Sequence, residues 1–161
     1  DSGLQPALAP SELNPLITGV CRQAAALHPD MTIVVEAVDA AVAGDEDALR
    51  QLLWILIDNA SRFARAKITV QLAIDGDWAR LMVGDDGSGI ALADRDRVFE
   101  RFFKSDAART RSGAAQTDHG AGLGLSIARW ITEQHHGRIV AAGSPDGGAG
   151  LFVDLPFLRL S

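Results

Sequence analysis

Three separated segments constrain this chain most. Asp85-Asp86-Gly87-Ser88-Gly89 follows an apolar run, Gly120-Ala121-Gly122-Leu123-Gly124-Leu125 opens a helix-like stretch, and Asn59 lies upstream in an amphipathic run. One glycine cluster carries little information, because glycine punctuates turns everywhere. An amide that can ligate a hard cation, a carboxylate at a strand end and a phosphate-facing glycine loop, in this order, ask for more. The fold must bring a strand end, a helix face and a helix start to one place. Together the segments specify a nucleotide site. A Rossmann reading is excluded because a polar run, not a strand, precedes the glycine loop, and no GxxxxGK[ST] sequence occurs.

The elements around these segments follow from periodicity. Asn14-Pro15 reads as an N-cap followed by proline at the first helical position. Leu16, Ile17, Val20, Ala24 and Leu27 then recur at helical spacing until His28-Pro29 stops the run. Met31 to Val38 is β-branched and apolar, a strand pattern. Asp45, Glu46 and Asp47 place acid at the start of a second helix, whose stripe is Leu49, Leu52, Leu53, Leu56, Ile57 and Ala60. Lys67 to Ile74 and Trp78 to Val83 form a hairpin turning at Asp75-Gly76-Asp77 and running into Asp85. Residues 104 to 119 lose their apolar side chains and read as a lid-like loop. Leu123 to His135 is helical with Gly137 as its C-terminal cap, and Arg138 to Ala142 and Leu151 to Leu155 are closing strands. This order predicts a two-layer α/β sandwich, a mixed sheet with helices on one face.

At 161 residues the chain is expected to be one domain over 11–161, with 1–10 the remains of a linker. It begins at Asp1 with no signal pattern, so it reads as a piece of something longer. No apolar run approaches the roughly 18 residues needed to cross a bilayer, so no membrane contact is expected of this portion. A net charge of -6 argues against nucleic acid as a partner, since duplex binding is driven mainly by Lys and Arg displacing counterions. Cys21 is the sole cysteine, which rules out a disulfide framework and a CxxC metal site and is compatible with a reducing cytosol.

The motifs resemble the ATP-binding catalytic domain of sensor histidine kinases, within the larger group that includes the gyrase, Hsp90 and MutL ATPase domains. The resemblance spans roughly residues 14 to 160. Asn59 and its helix look like the family's N box, Asp85 to Gly89 like G1, Phe99-Glu100-Arg101-Phe102-Phe103 like the F box, and Gly120 to Leu125 like G2. The F box separates kinases from their ATPase cousins. What the resemblance implies is a domain that binds Mg-ATP and donates the γ-phosphoryl group to a histidine on a separate dimerisation and phosphoacceptor domain. A response regulator would be served indirectly. The domain is expected to be cytoplasmic, with any membrane anchor elsewhere in the parent protein, and monomeric in isolation.

Roles carry over residue by residue. The resemblance makes Asp85 the acceptor of the adenine amino group, and Gly87 and Gly89 leave the backbone free to approach the base. Asp86 reads as a solvated turn residue. The matching Asn in the family binds Mg²⁺ through its side-chain oxygen, so Asn59 is the expected metal ligand, consistent with a hard cation's preference for oxygen. Arg62 stands where a basic residue touches phosphate, and Phe63 suits either packing beside the base or ordinary core. Gly120, Gly122, Leu123, Gly124 and Leu125 form the phosphate loop at a helix start, whose free amides favour anions, with the two leucines as packing residues. Lys104, with Arg109 and Arg111, could reach the γ-phosphate on lid closure, so Asn59, Arg62 and Lys104 are the expected catalytic groups. Phe99, Phe102 and Phe103 read as a lid anchor, a docking surface or core.

Two features temper the resemblance. Ile55 occupies the position where the related ATPases carry a water-activating Glu, four residues before the Asn, so weak intrinsic hydrolysis is expected. None of His28, His119, His135 and His136 has the context of the family's phosphoacceptor, and the adjacent pair at a helix end fits the dipole's negative end. Two other functions remain open on the sequence: a Ser/Thr kinase of the anti-sigma-factor type, and an adaptor that binds nucleotide without transfer.

Overall fold

The computed structural model describes residues 8–101, 103 and 124–159. In chain order these form β1 (Ala9–Glu12), α1 (Leu13–Leu27), β2 (Thr32–Ala37), β3 (Ala41–Gly44), α2 (Glu46–Phe63), β4 (Lys67–Asp75) and β5 (Trp78–Asp85). A short 3-10 turn at Leu92–Asp94 precedes α3 (Gly124–Gln134), β6 (Arg138–Gly143) and β7 (Ala149–Leu158). The result is one mixed sheet with the helices on one face, the two-layer arrangement expected.

Strands run in the order β1-β3-β7-β5-β4-β2, with β6 also paired to β7. β2 and β4 are parallel, and every other pair is antiparallel. The long β7 carries both β6 and β3 on one side, β6 along 149–154 and β3 at 157–158. Period-two alternation aligns rows across the sheet: Val70, Val83 and Leu151 are register partners, as are Leu72, Leu81 and Val153, and Ile74, Ala79 and Leu155. All of these except Ile74 are buried, in one core with Ile17, Val20, Leu52, Leu53, Leu56, Ile57 and Ile131 of the helices. Leu56 is wholly enclosed, so truncation to alanine there is worth about 2–5 kcal/mol. One consequence of the alternation positions the site. Ala79, Leu81 and Val83 face the helices, so Asp85, two residues on, occupies the place of the next core residue.

The structure departs from the sequence expectation at several ends. α1 starts one residue earlier than Asn14, with Glu12 as N-cap making no side-chain capping bond. Asn14 lies inside the first turn and donates to the carbonyls of Ala37 (3.0 Å) and Val38 (3.2 Å), tying the helix start to the end of β2. Pro15 is still tolerated, because first-turn amides have no intrahelical partner. Asp45 caps α2 as expected, accepting from the amides of Asp47 (3.1 Å) and Ala48 (3.3 Å).

At the end of α3 the left-handed residue is His136 (φ 62°), not Gly137. The Gly137 amide reaches back to the Thr132 carbonyl (3.0 Å) and the His136 amide to that of Glu133 (3.0 Å), a Schellman closure. Gly137 is required for space, since a Cβ there would collide with the Asp154 carbonyl. β1 and β3 were not foreseen. Ala9 and Pro10, at the end of the segment read as linker, pair with Ala43 and Gly44.

Candidate functional site

Asp85 ends β5 on the helix-facing side of the sheet and is only 2% exposed. Its Oδ1 accepts two backbone N–H groups, from Gly87 (2.8 Å) and Ala149 (3.2 Å). The carboxylate is therefore held by one oxygen. No described group hydrogen-bonds Oδ2, and among the described residues no sealed-in side-chain polar atom lacks a partner, so Oδ2 is neither tied nor fully sealed. Burial pushes the Asp85 carboxyl above its usual range, against the lowering effect of the two amides; the Asp86 charge adds to the rise. An oriented, desolvated acceptor with one free oxygen is suited to a single N–H donor from outside.

The other sequence signals gather along the C-terminal half of α2. A side chain on Gly87 would run into the Phe63 carbonyl, so the G1-like loop lies directly against the end of that helix. Two turns earlier, a Cβ on Gly124 would stand 3.5 Å from Ile55 Cγ2, which places the first residue of α3 beside α2. Between them, on the same face, is Asn59, half-buried. Ile55 to Phe63 spans eight residues, about 12 Å of helix axis. A helix N-terminus and a buried carboxylate thus stand at opposite ends of a helical face with a carboxamide between them. Arg62 pairs with Asp58 at 3.1 Å, one turn back on α2. Phe63 is half-buried and outside the main core, whereas Leu125, Phe99 and Phe103 pack into or onto it.

Of the remaining expected residues, Gly89 is exposed, with φ 86°, a conformation that suits glycine. Gly120, Gly122, Leu123, Lys104, Arg109, Arg111 and Phe102 lie outside the described residues, as does His119. Asp86 proves to be more than a solvated turn residue. Its carboxylate accepts from the amides of Arg65 (2.7 Å) and Ala66 (3.2 Å), closing the passage from α2 into β4. Burial by itself would raise its carboxyl, but the backbone amides around it together hold it below the usual range.

Sequence reasoning missed the β6–β7 turn, residues 144–148. The Gly148 amide donates to the Asp85 carbonyl (3.1 Å), and Ala149 supplies one of the two amides on Oδ1. A Cβ on Gly148 would strike the Asp85 carboxylate itself. The available signal was the Asp146-Gly147-Gly148-Ala149-Gly150 run between the two closing strands.

Residues 44–159 match the family of histidine kinase-, DNA gyrase B- and HSP90-like ATPases, and the chain belongs to that family. The sensor histidine kinase CpxA of Escherichia coli K12 is 37% identical over 118 residues, 73% of this chain and 25% of CpxA. The sensor protein SphS of Synechococcus elongatus is 44% identical over 119 residues, 71% of this chain and 29% of SphS. The chain therefore spans about a quarter of the length of these relatives. Among solved structures, the mycobacterial sensor histidine kinase MprB superposes with a TM-score of 0.82 at 26% identity, covering 94% of this chain and all of the other. Full-length ShkA, crystallised with AMPPNP, superposes at 0.78 with 27% identity, over 98% of this chain and 33% of ShkA. The chain is homologous to the ATP-binding catalytic domain of sensor histidine kinases.

Proposed function

We propose that this chain binds Mg-ATP between α2, the strand-end Asp85 and the start of α3, and presents the γ-phosphoryl group to a histidine on a separate dimerisation and phosphoacceptor domain. The observation that carries the reading is the half-tied Asp85 carboxylate. An adenine amino group is a donor and would meet the open Oδ2, while the carbonyl of guanine at the same ring position would face a carboxylate with no proton to offer. Gly87 and Gly89 leave the base a close approach to the backbone. Phe63, outside the main core, would pack beside it.

The phosphates would run along α2 toward α3, where the free amides of the first turn, with Gly120, Gly122 and Gly124, favour anionic oxygens. Asn59 fits a magnesium ion as one neutral oxygen donor: its carboxamide has no hydrogen-bond partner among the described residues. No group of three or more His, Cys, Asp or Glu side chains there forms a metal site unaided. The ion would therefore be shared with phosphate and water, and when bound it would offset phosphate charge. Arg62, drawn from Asp58, and Lys104 would add positive charge at the transferring group. Transfer forms a bond from an imidazole nitrogen to phosphorus and breaks the bond to the β–γ bridging oxygen, releasing ADP. The base that takes the imidazole proton would come from the acceptor domain. Ile55 offers no carboxylate to activate water, so ATP is held for transfer rather than spent.

The whole chain is read as a monomer on the cytoplasmic side of its parent protein; among the described residues no helix is long and apolar enough to cross a membrane. The direct test mixes the chain with γ-labelled ATP and a separately made dimerisation domain. Acid-labile label on the acceptor supports histidine transfer. Acid-stable label points to a Ser/Thr kinase, and ATP binding without label to an adaptor. Light scattering showing a stable dimer would contradict the monomer.

A further inference from the structure

The β6–β7 turn does more than join two strands. From Ser144 it passes over Gly84 of β5, where an added Cβ would come within 2.6 Å of Ser144 Oγ, and it reaches β4 through Asp146. There the Asp146 carboxylate accepts the Thr69 hydroxyl at 2.6 Å and pairs with Lys67 at 3.2 Å. Ser144 Oγ accepts the Asp146 amide (3.1 Å), and the Ser144 amide donates to the Gly148 carbonyl (2.8 Å), so the turn is braced within itself. Its far end then delivers the Gly148 amide to the Asp85 carbonyl and leads into the Ala149 amide on Oδ1. Thr69 is buried, and its strand position is opposite Gly84, so the latch point is a fixed part of the sheet. Asp146 is held in its charged form, chiefly by the Thr69 hydroxyl and then by Lys67, in spite of some desolvation.

We infer that Asp146, latched to Thr69 and Lys67, is a positioning residue for purine recognition: it fixes the strap that aims the Asp85 carboxylate at the base. The inference rests on the adenine role proposed for Asp85. A strap that only stabilised the fold would matter equally to any nucleotide. One that aims Asp85 matters only to a base bearing an exocyclic amino group, because the hydrogen bond it controls is absent otherwise.

The test compares ATP with purine riboside triphosphate, which lacks that amino group, by calorimetry on the intact chain. Wild type is expected to prefer ATP by roughly 10-fold or more, the worth of one hydrogen bond to a charged acceptor. Asp146→Ala and Thr69→Val should each weaken ATP about 5- to 10-fold and leave purine riboside triphosphate unchanged, and the double variant should be no worse than either single one. Asp146→Asn, which keeps an acceptor for the Thr69 hydroxyl, should stay within about 3-fold of wild type. Thermal melts identify any variant that fails to fold, and Thr69→Val alone carries the test if Asp146→Ala does. Equal losses for both nucleotides, or no loss for either, overturn the latch while leaving the adenine role standing. A wild type that does not distinguish the two nucleotides overturns the adenine role itself, and the latch with it.

Discussion

Asp85 shows how one side chain can be costly to the fold and useful to the site. It occupies a core position by strand alternation, and its carboxyl is raised because burial penalises the charge. A raised folded-state value means that the folded protein takes up a proton more readily than the unfolded chain. The charged form therefore costs stability once pH climbs past the folded value, and that cost disappears below the ordinary value of 3.8. Asp85→Asn keeps Oδ1 as acceptor for Gly87 and Ala149 and removes the charge. It should leave the melting temperature of the free protein unchanged or higher while weakening ATP about 100-fold, because it turns a donor toward a donor. Wild-type affinity should also fall with acid at a midpoint above 3.8, as protonation removes the acceptor, and the variant should lack that step. Unchanged ATP affinity in the variant, measured by calorimetry, would refute the assignment. Its position in Asp-Asp-Gly was legible in the sequence; the free Oδ2 was not, because one of the amides that ties Oδ1 comes from a residue 64 positions away.

At the level of elements, α2 is placed from both ends. Its C-terminal half meets Gly87 and Gly124, and its start is joined to the end of α3 by His135, a buried ring that accepts the Asp45 amide at Nε2 (3.0 Å) and lies 2.8 Å through Nδ1 from the Ile131 carbonyl. This geometry requires the neutral ring with the proton on Nδ1. The sequence reading had the adjacent histidines serving the helix dipole, and the structure gives His135 this bridging role instead. Replacing His135 with alanine leaves the Asp45 amide and the Ile131 carbonyl with a lost partner each, for a destabilisation of roughly 2–4 kcal/mol in urea unfolding. Because Asn59 lies at the other end of the helix, ATP affinity of the folded variant should change less than about 3-fold. An affinity loss matching the stability loss would show instead that this contact sets the whole helix position.

For the molecule as a whole, the open face of the sheet carries its own polar knot. Asp154, 6% exposed on β7, takes Arg80 of β5 at 2.7 Å and Arg138 of β6 at 3.2 Å. The Arg80 hydrogen bond first, and Arg138 after it, holds the Asp154 carboxyl below its usual range, against its burial. Stability from this group is present above the ordinary carboxylate value and lost as pH falls through the lowered one. Asp154→Asn should cost about 1–2 kcal/mol at pH 7, with both arginines partly solvated, and the difference from wild type should shrink in acid. Equal pH dependence in the two proteins would remove Asp154 from the acid transition. Ligand binding should also act globally. At 100 times its dissociation constant, ATP should stabilise the fold by about 2.7 kcal/mol and raise its melting temperature by about 5–10 °C, and GTP at the same concentration should not.

Local pattern was enough for the helix stripes, the β4–β5 hairpin and the identity of the nucleotide motifs, because periodicity and turn chemistry act between near neighbours. The short strands β1 and β3 escaped it, since four residues carry too little periodic signal and are strands only by virtue of pairing with each other and with β7. The strap of residues 144–148, the latch to Thr69 and the bridge through His135 were likewise decided by packing. Each joins residues tens of positions apart, and only closing the chain into one sheet under its helices brings their polar groups within hydrogen-bond reach.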